Sequence, residues 1–145
     1  MKDMIKVTGN LNVVLMDSKG IVKETRTIPN LVVTVGKNFI ASRMKDATAT
    51  AMSQMAVGTN NTSPVAGDTT LGTELARVVL TSTTVSTNNV AYVASYPAGT
   101  GTGALVEAGL FNAGTAGTML ARTTYAVINK GASDSLTITW TVTVG

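Results

Sequence analysis

The sequence predicts a mainly β protein: an antiparallel β-sandwich or jelly-roll-like barrel of about eight or nine strands with one short helix, in a single domain over residues 1–145. Three observations carry this. In the last twelve residues Leu136, Ile138, Trp140, Val142 and Val144 alternate with Ser135, Thr137, Thr139, Thr141 and Thr143. A strand sends successive side chains to opposite faces, so this segment has one apolar face and one hydroxyl face. Clusters of Gly, Asn, Asp and Pro punctuate the rest of the chain at short spacing, as hairpin turns require. Only one stretch, residues 34–45, carries a helical period.

Taken in order, Met4 to Thr8 reads as a short strand leading into a hairpin. The arms of that hairpin are Leu11–Met16 and Ile21–Ile28, around Asp17-Ser18-Lys19-Gly20. Asp opens such a turn, and Gly takes its left-handed position without a steric cost. Residues 4–28 therefore form an N-terminal hairpin unit, ended by Pro29-Asn30. Val35, Phe39, Ile40 and Met44 share a helical stripe with Thr34 as N-cap, although Gly36 weakens the helix. Residues 46–52 are a loop, and Met55–Val57 is a short strand. Gly58–Thr70 is a long loop, after which Asp68 or Thr69 caps one helical turn over Leu71–Leu75. The main sheet is expected across 55–145. It includes a second hairpin, Val78–Ser86 with Val90–Tyr96, and strands at Leu105–Phe111, Met119–Val127 and the C-terminal segment.

Composition narrows function more than it names it. Charged residues make up 13% of the chain, roughly a quarter of it is Ser or Thr, and mean hydropathy is +0.26. An isolated monomer ordinarily carries more surface charge, so much of this surface is expected to face other protein. The chain has no Cys and no His, which excludes disulfides, thiolate chemistry and imidazole metal sites. The first residues lack the apolar core of a signal peptide, and no apolar run approaches a membrane span. The net charge of +3 is unevenly placed. Residues 1–45 carry eight basic side chains (Lys2, Lys6, Lys19, Lys23, Arg26, Lys37, Arg43 and Lys45) against three acids. Such a segment suits an acidic partner surface, or is simply a solvated face.

No catalytic residue, cofactor or metal ligand is assigned. Gly99-Thr100-Gly101-Thr102-Gly103 lacks the Lys-Ser/Thr and the following helix that a phosphate cradle needs, so it reads as a flexible loop. The eight acids are scattered singly, so spacing proposes no carboxylate pair. Glu107, within an apolar strand, is either a buried acid or a side chain on the outward face paired with Arg122 or Arg77. Aromatics at 4% and mild charge argue against nucleic acid. Trp140 and Phe111 fall on apolar faces and read as core.

Several segments carry a resemblance: Met55-Ala56-Val57-Gly58-Thr59, Ala66–Leu75 (AGDTTLGTEL), Glu107–Phe111, Met119-Leu120-Ala121-Arg122, Asn129-Lys130-Gly131 and, nearer the N-terminus, Asn30–Thr34 with Gly36-Lys37-Asn38. Together they resemble a family of small tailed-bacteriophage virion proteins of the capsid decoration, or cement, type. The Glu107–Phe111 segment also resembles a piece of phage tail-fibre and collar proteins. The resemblance implies a non-enzymatic protein made in the host cytoplasm and carried on the capsid surface. Its partner would be the major capsid protein. The scarce charge itself predicts self-association, and the trimer is taken by analogy with decoration proteins in general. The alternative it leaves open is a tail-fibre or baseplate-associated module, of a kind that can be host-binding. Neither reading calls for nucleic acid, membrane or cofactor. On the cement reading Lys19, Lys23 and Arg26, on a protruding first hairpin, are the expected contacts to an acidic capsid surface.

Overall fold

Among the described residues, ten strands and one helix follow one another in the order β1 (Val7–Met16), β2 (Val22–Pro29), β3 (Leu31–Val32), α1 (Thr34–Lys45), β4 (Gln54–Gly58), β5 (Glu74–Val79), β6 (Ser82–Ser86), β7 (Asn89–Tyr96), β8 (Gly103–Phe111), β9 (Met119–Lys130) and β10 (Ser135–Val144). The structure is a computed structural model and describes residues 3–145; Met1 and Lys2, the latter counted above among the basic residues, lie outside the described residues. Two antiparallel five-stranded sheets form, in the orders β2-β1-β10-β7-β6 and β3-β9-β8-β4-β5. They do not close into a barrel, so of the two expected architectures the sandwich is the one adopted. The core between them is built from alternate residues of both: Leu11, Val13 and Leu15 of β1, Tyr96 of β7, and Leu136, Ile138 and Trp140 of β10 face Met55, Val57, Leu105 and Leu110. Trp140 is fully buried, as the alternation in the last strand predicts.

The first hairpin turns where expected. The Asp17 carboxylate accepts from the amides of Lys19 at 2.8 Å and Ile21 at 3.0 Å, and Gly20 has φ +76°. Its first arm is longer than the sequence suggests, because Val7 through Met16 form one strand paired along its full length with β10. The hairpin is thus not a protrusion. β1 is an inner strand of the first sheet, which the C-terminal segment completes.

The segment expected as a single strand from Val78 to Ser86 is divided. Val78 and Val79 belong to β5 in the second sheet, and Ser82–Ser86 form β6 in the first. The chain passes between sheets at Leu80 and Thr81, whose amides donate to Ser53 and Val93. Alternation in sequence continues across such a passage, so period alone does not reveal it. The helical turn expected at Leu71–Leu75 is also absent. Glu74 and Leu75 begin β5, and the amides of Gly72 and Thr73 go to the Glu107 carboxylate instead.

The helix lies at the expected residues, but Thr34 is its first residue and not its cap; Val33 holds the cap position without a side-chain hydrogen bond. Of the predicted stripe, Phe39 and Ile40 pack against the core and Val35 against a smaller cluster, whereas Met44 is 83% exposed. The last turn has left the sheet by then.

Candidate contact surface

The two outer faces of the sandwich are treated differently by the chain. Over the outer face of the second sheet lies the long loop 59–73, and α1 seats against β9 at the edge of that sheet. Leu71 of that loop packs with Ala56, Phe111, Met119 and Val33 in a small cluster on the outside of the sheet. Glu107 holds the loop down. Its two carboxylate oxygens accept from the amides of Asn60 at 3.2 Å, Gly72 at 2.8 Å and Thr73 at 2.7 Å, and from Arg122 Nη2 at 2.8 Å. Arg122 in turn donates to Asp68 of the same loop at 3.0 Å. Glu107 is on the outward face of β8, paired with Arg122, and is fully buried because the loop covers it. Small residues make the cover possible, since a Cβ at Gly58 would stand 2.5 Å from Glu107 Oε1 and one at Gly109 would stand 2.9 Å from Leu71. Arg77, the other expected partner, pairs with Glu74 and lies 3.8 Å over the Phe111 ring. The Glu107 carboxylate is surrounded by donors, so this cluster is a clasp.

The outer face of the first sheet has no such cover. Its central ladder is Ser135, Thr137, Thr139, Thr141 and Thr143 of β10. Met16, Val14, Asn12, Asn10 and Thr8 of β1 stand opposite on one side, and Ser95, Val93, Ala91 and Asn89 of β7 on the other. Val22, Thr25 and Thr27 extend it onto β2, and Ser82, Thr84 and Ser86 onto β6. None of these residues is buried, and none is charged; Lys23, at the β2 bulge beside Val22, is a charge at the rim and pairs with Asp134. With strands about 4.8 Å apart and a rise of about 3.3 Å per residue, the face measures roughly 700 Å². That is close to one side of a standard protein–protein interface, about 800 Å². The cores of such interfaces are depleted in charge, as this face is. The threonines contribute both a methyl and a hydroxyl, so the surface can bury apolar area while its polar atoms find partners.

The three basic residues expected to form the contact have other surroundings. Lys19 is exposed in the turn of the first hairpin. Lys23 Nζ donates to Asp134 at 2.9 Å. Arg26 points toward the second sheet: it pairs with Glu24, and its guanidinium donates to the carbonyls of Ala126 at 2.7 Å and Val127 at 3.2 Å. It closes one open side of the sandwich. Structure therefore brings the three together on no single exposed patch. Nothing in the sequence marks Asp134 as a partner of Lys23. Its pKa is lowered from the ordinary 3.8 by hydrogen bonds from Lys23 and from the Gly131 amide. Beside it Lys130 is buried, donating to the carbonyls of Pro97 and Asp134, and desolvation lowers its pKa.

Among the described residues no group of three or more acidic side chains is placed to hold a metal ion. Three shallow clefts of about 290 to 390 Å³ are lined without a carboxylate. No protein family, curated protein or solved structure matches the chain. The outer face of the first sheet is its most distinctive surface. Only its β10 ladder is legible in the sequence, because the neighbours that widen it are set by strand order and register.

Proposed function

We propose that this chain is a structural protein of a tailed-bacteriophage particle, of the capsid decoration type, binding the major capsid protein on the outside of the head. The observation that carries this reading is the bare outer face of the first sheet, uncharged but for Lys23 at its rim, on a chain that covers its other sheet with its own loop. Cement acts by burying surface across subunit boundaries, and many modest contacts act together against internal pressure. A flat face of hydroxyl, amide and small apolar side chains suits that task, because it adds buried area without requiring charges to be desolvated. The contact is assigned to this face in preference to Lys19, Lys23 and Arg26, two of which are engaged within the molecule. The segments that resemble phage virion proteins support the same reading. Most lie in strands or in the clasped loop, so they bear on the scaffold and not on the contact.

The test is to count copies on purified particles and to add purified protein to undecorated heads. Hundreds of copies on the head, with binding abolished by Thr139→Lys together with Val93→Lys in a folded variant, are expected. A handful of copies at the tail would favour the tail-fibre or baseplate reading. No copies on the particle would overturn both.

A further inference from the structure

The four edges of the two sheets are not equally protected. β2 carries Lys23, Glu24, Arg26 and Pro29, and its pairing with β1 is irregular at Leu15/Met16. β3 has only two residues before the helix begins. β5 carries Glu74 and Arg77, with an irregularity at Val57/Gly58. Charges, proline, bulges and short length are the usual devices that stop an edge from pairing with another chain. β6, five residues long, has no charge, no proline and no register shift. Its sequence is Ser82-Thr83-Thr84-Val85-Ser86, every residue is exposed, and its register with β7 is unbroken.

The geometry points to the free edge of β6 as a pairing seam for a second copy of this chain, the two β6 strands running antiparallel about a two-fold axis at Thr84. Register supports that centre. The two-residue turn Thr87-Asn88 makes Ser86 and Asn89 the hydrogen-bonded pair that closes the hairpin, so Thr84 and Ser82 also bond to β7. Thr83 and Val85 therefore direct their amides and carbonyls away from β7, to the free edge. Pairing about Thr84 sets Thr83 of one copy against Val85 of the other, twice, and satisfies all eight of those groups in four hydrogen bonds. Ser82 then meets Ser86, and Thr84 meets its own copy. A two-fold contact must be self-complementary, and a charge near its axis meets itself. β6 is neutral throughout, which suits a second copy and gives nothing to a charged partner. Val85, 70% exposed in the single chain, is brought beside Thr83 of the second copy. The resulting sheet is ten-stranded, and its outer face becomes continuous across both copies. The symmetry is two-fold, unlike the trimer expected from decoration proteins in general. The inference does not depend on the phage reading.

Sedimentation of the wild-type chain, up to a concentration of about 0.3 mM, tests it, since a seam of this size supports roughly micromolar to submillimolar pairing. The expected result is a mass rising to twice the 14.9 kDa of the chain. Thr84→Lys and Thr84→Glu should each weaken pairing at least about tenfold, because like charges then face each other across the axis. An equimolar mixture of the two variants should pair again. Val85→Pro, which removes an amide facing the free edge and leaves the β7 ladder intact, should also be monomeric, with Trp140 fluorescence reporting the fold. A monomeric wild type, a trimer, pairing that survives in Thr84→Lys, or a variant mixture that stays monomeric would each overturn the proposal.

Discussion

Gly36 lies against the backbone of Leu120 so closely that a Cβ on it would stand 2.1 Å from the Leu120 carbonyl oxygen. This contact seats α1 on β9. Local and tertiary effects here have opposite signs. Alanine in a helix interior is favoured over glycine by about 1 kcal/mol. Intruding on a backbone carbonyl costs about 1–3 kcal/mol and moves the helix. Gly36→Ala is therefore expected to lower stability, as measured by denaturant midpoint. An increase would show that the helix is not held in this contact.

Glu107→Gln should be among the most damaging single changes. It leaves Arg122, only 3% exposed, with Asp68 alone, and weakens the acceptor for three loop amides. Breaking a buried pair from one side costs about 3–5 kcal/mol. For a domain of this size that lowers Tm by roughly 10 °C. Replacing both partners, as Glu107→Gln with Arg122→Met, should recover part of the loss, and hydrogen exchange in loop 59–73 should rise in the single variant.

Trp140 donates its indole N–H to Asn30 Oδ1 at 2.8 Å. Indole is a donor only, which fixes the orientation of the Asn30 amide. Trp140→Ala should cost about 3–5 kcal/mol through the cavity it leaves. Asn30→Ala should cost about 1–3 kcal/mol by stranding the N–H. The two losses should not add, since each removes the same hydrogen bond, and a double-mutant cycle on urea unfolding checks this.

Lys23 and Asp134 set an acid-sensitive contact. The folded carboxyl has a pKa below its ordinary 3.8, with the hydrogen bond from Lys23 the largest cause. A depressed carboxyl stabilises the fold above the unfolded value, and that contribution disappears as pH falls through the folded value. Lys23→Met is therefore expected to be less stable than wild type at neutral pH. The gap should narrow below about pH 4, in a series of thermal melts across pH.

Arg26 and Lys19 should respond differently to charge reversal. Arg26→Glu removes the bonds to the Ala126 and Val127 carbonyls and sets a carboxylate beside Glu24, with an expected loss of about 1–3 kcal/mol. Lys19→Glu, in an exposed turn, should stay within about 0.5 kcal/mol of wild type. Equal effects on thermal stability would contradict the placement of Arg26 between the sheets.

The sequence by itself determined the fold class, the first hairpin, the position of the helix and the burial of Trp140. Each follows from a local signal: period two in β10, Asp17 and Gly20 in a turn, the helical period over 34–45. Tertiary structure alone decided the partition into two sheets, because alternation does not say which neighbour a strand takes. It placed Val78 and Ser82 in different sheets, put Arg26 between them, and buried Glu107 under a loop that sequence could read only as loop. It also made the candidate surface. Thr139 is legible as one residue of a hydroxyl face, but Asn12 and Val93 come to stand on either side of it only through the register of β1 and β7 with β10. Periodicity fixes which way a side chain points, whereas its neighbours across strands depend on contacts far apart in the chain.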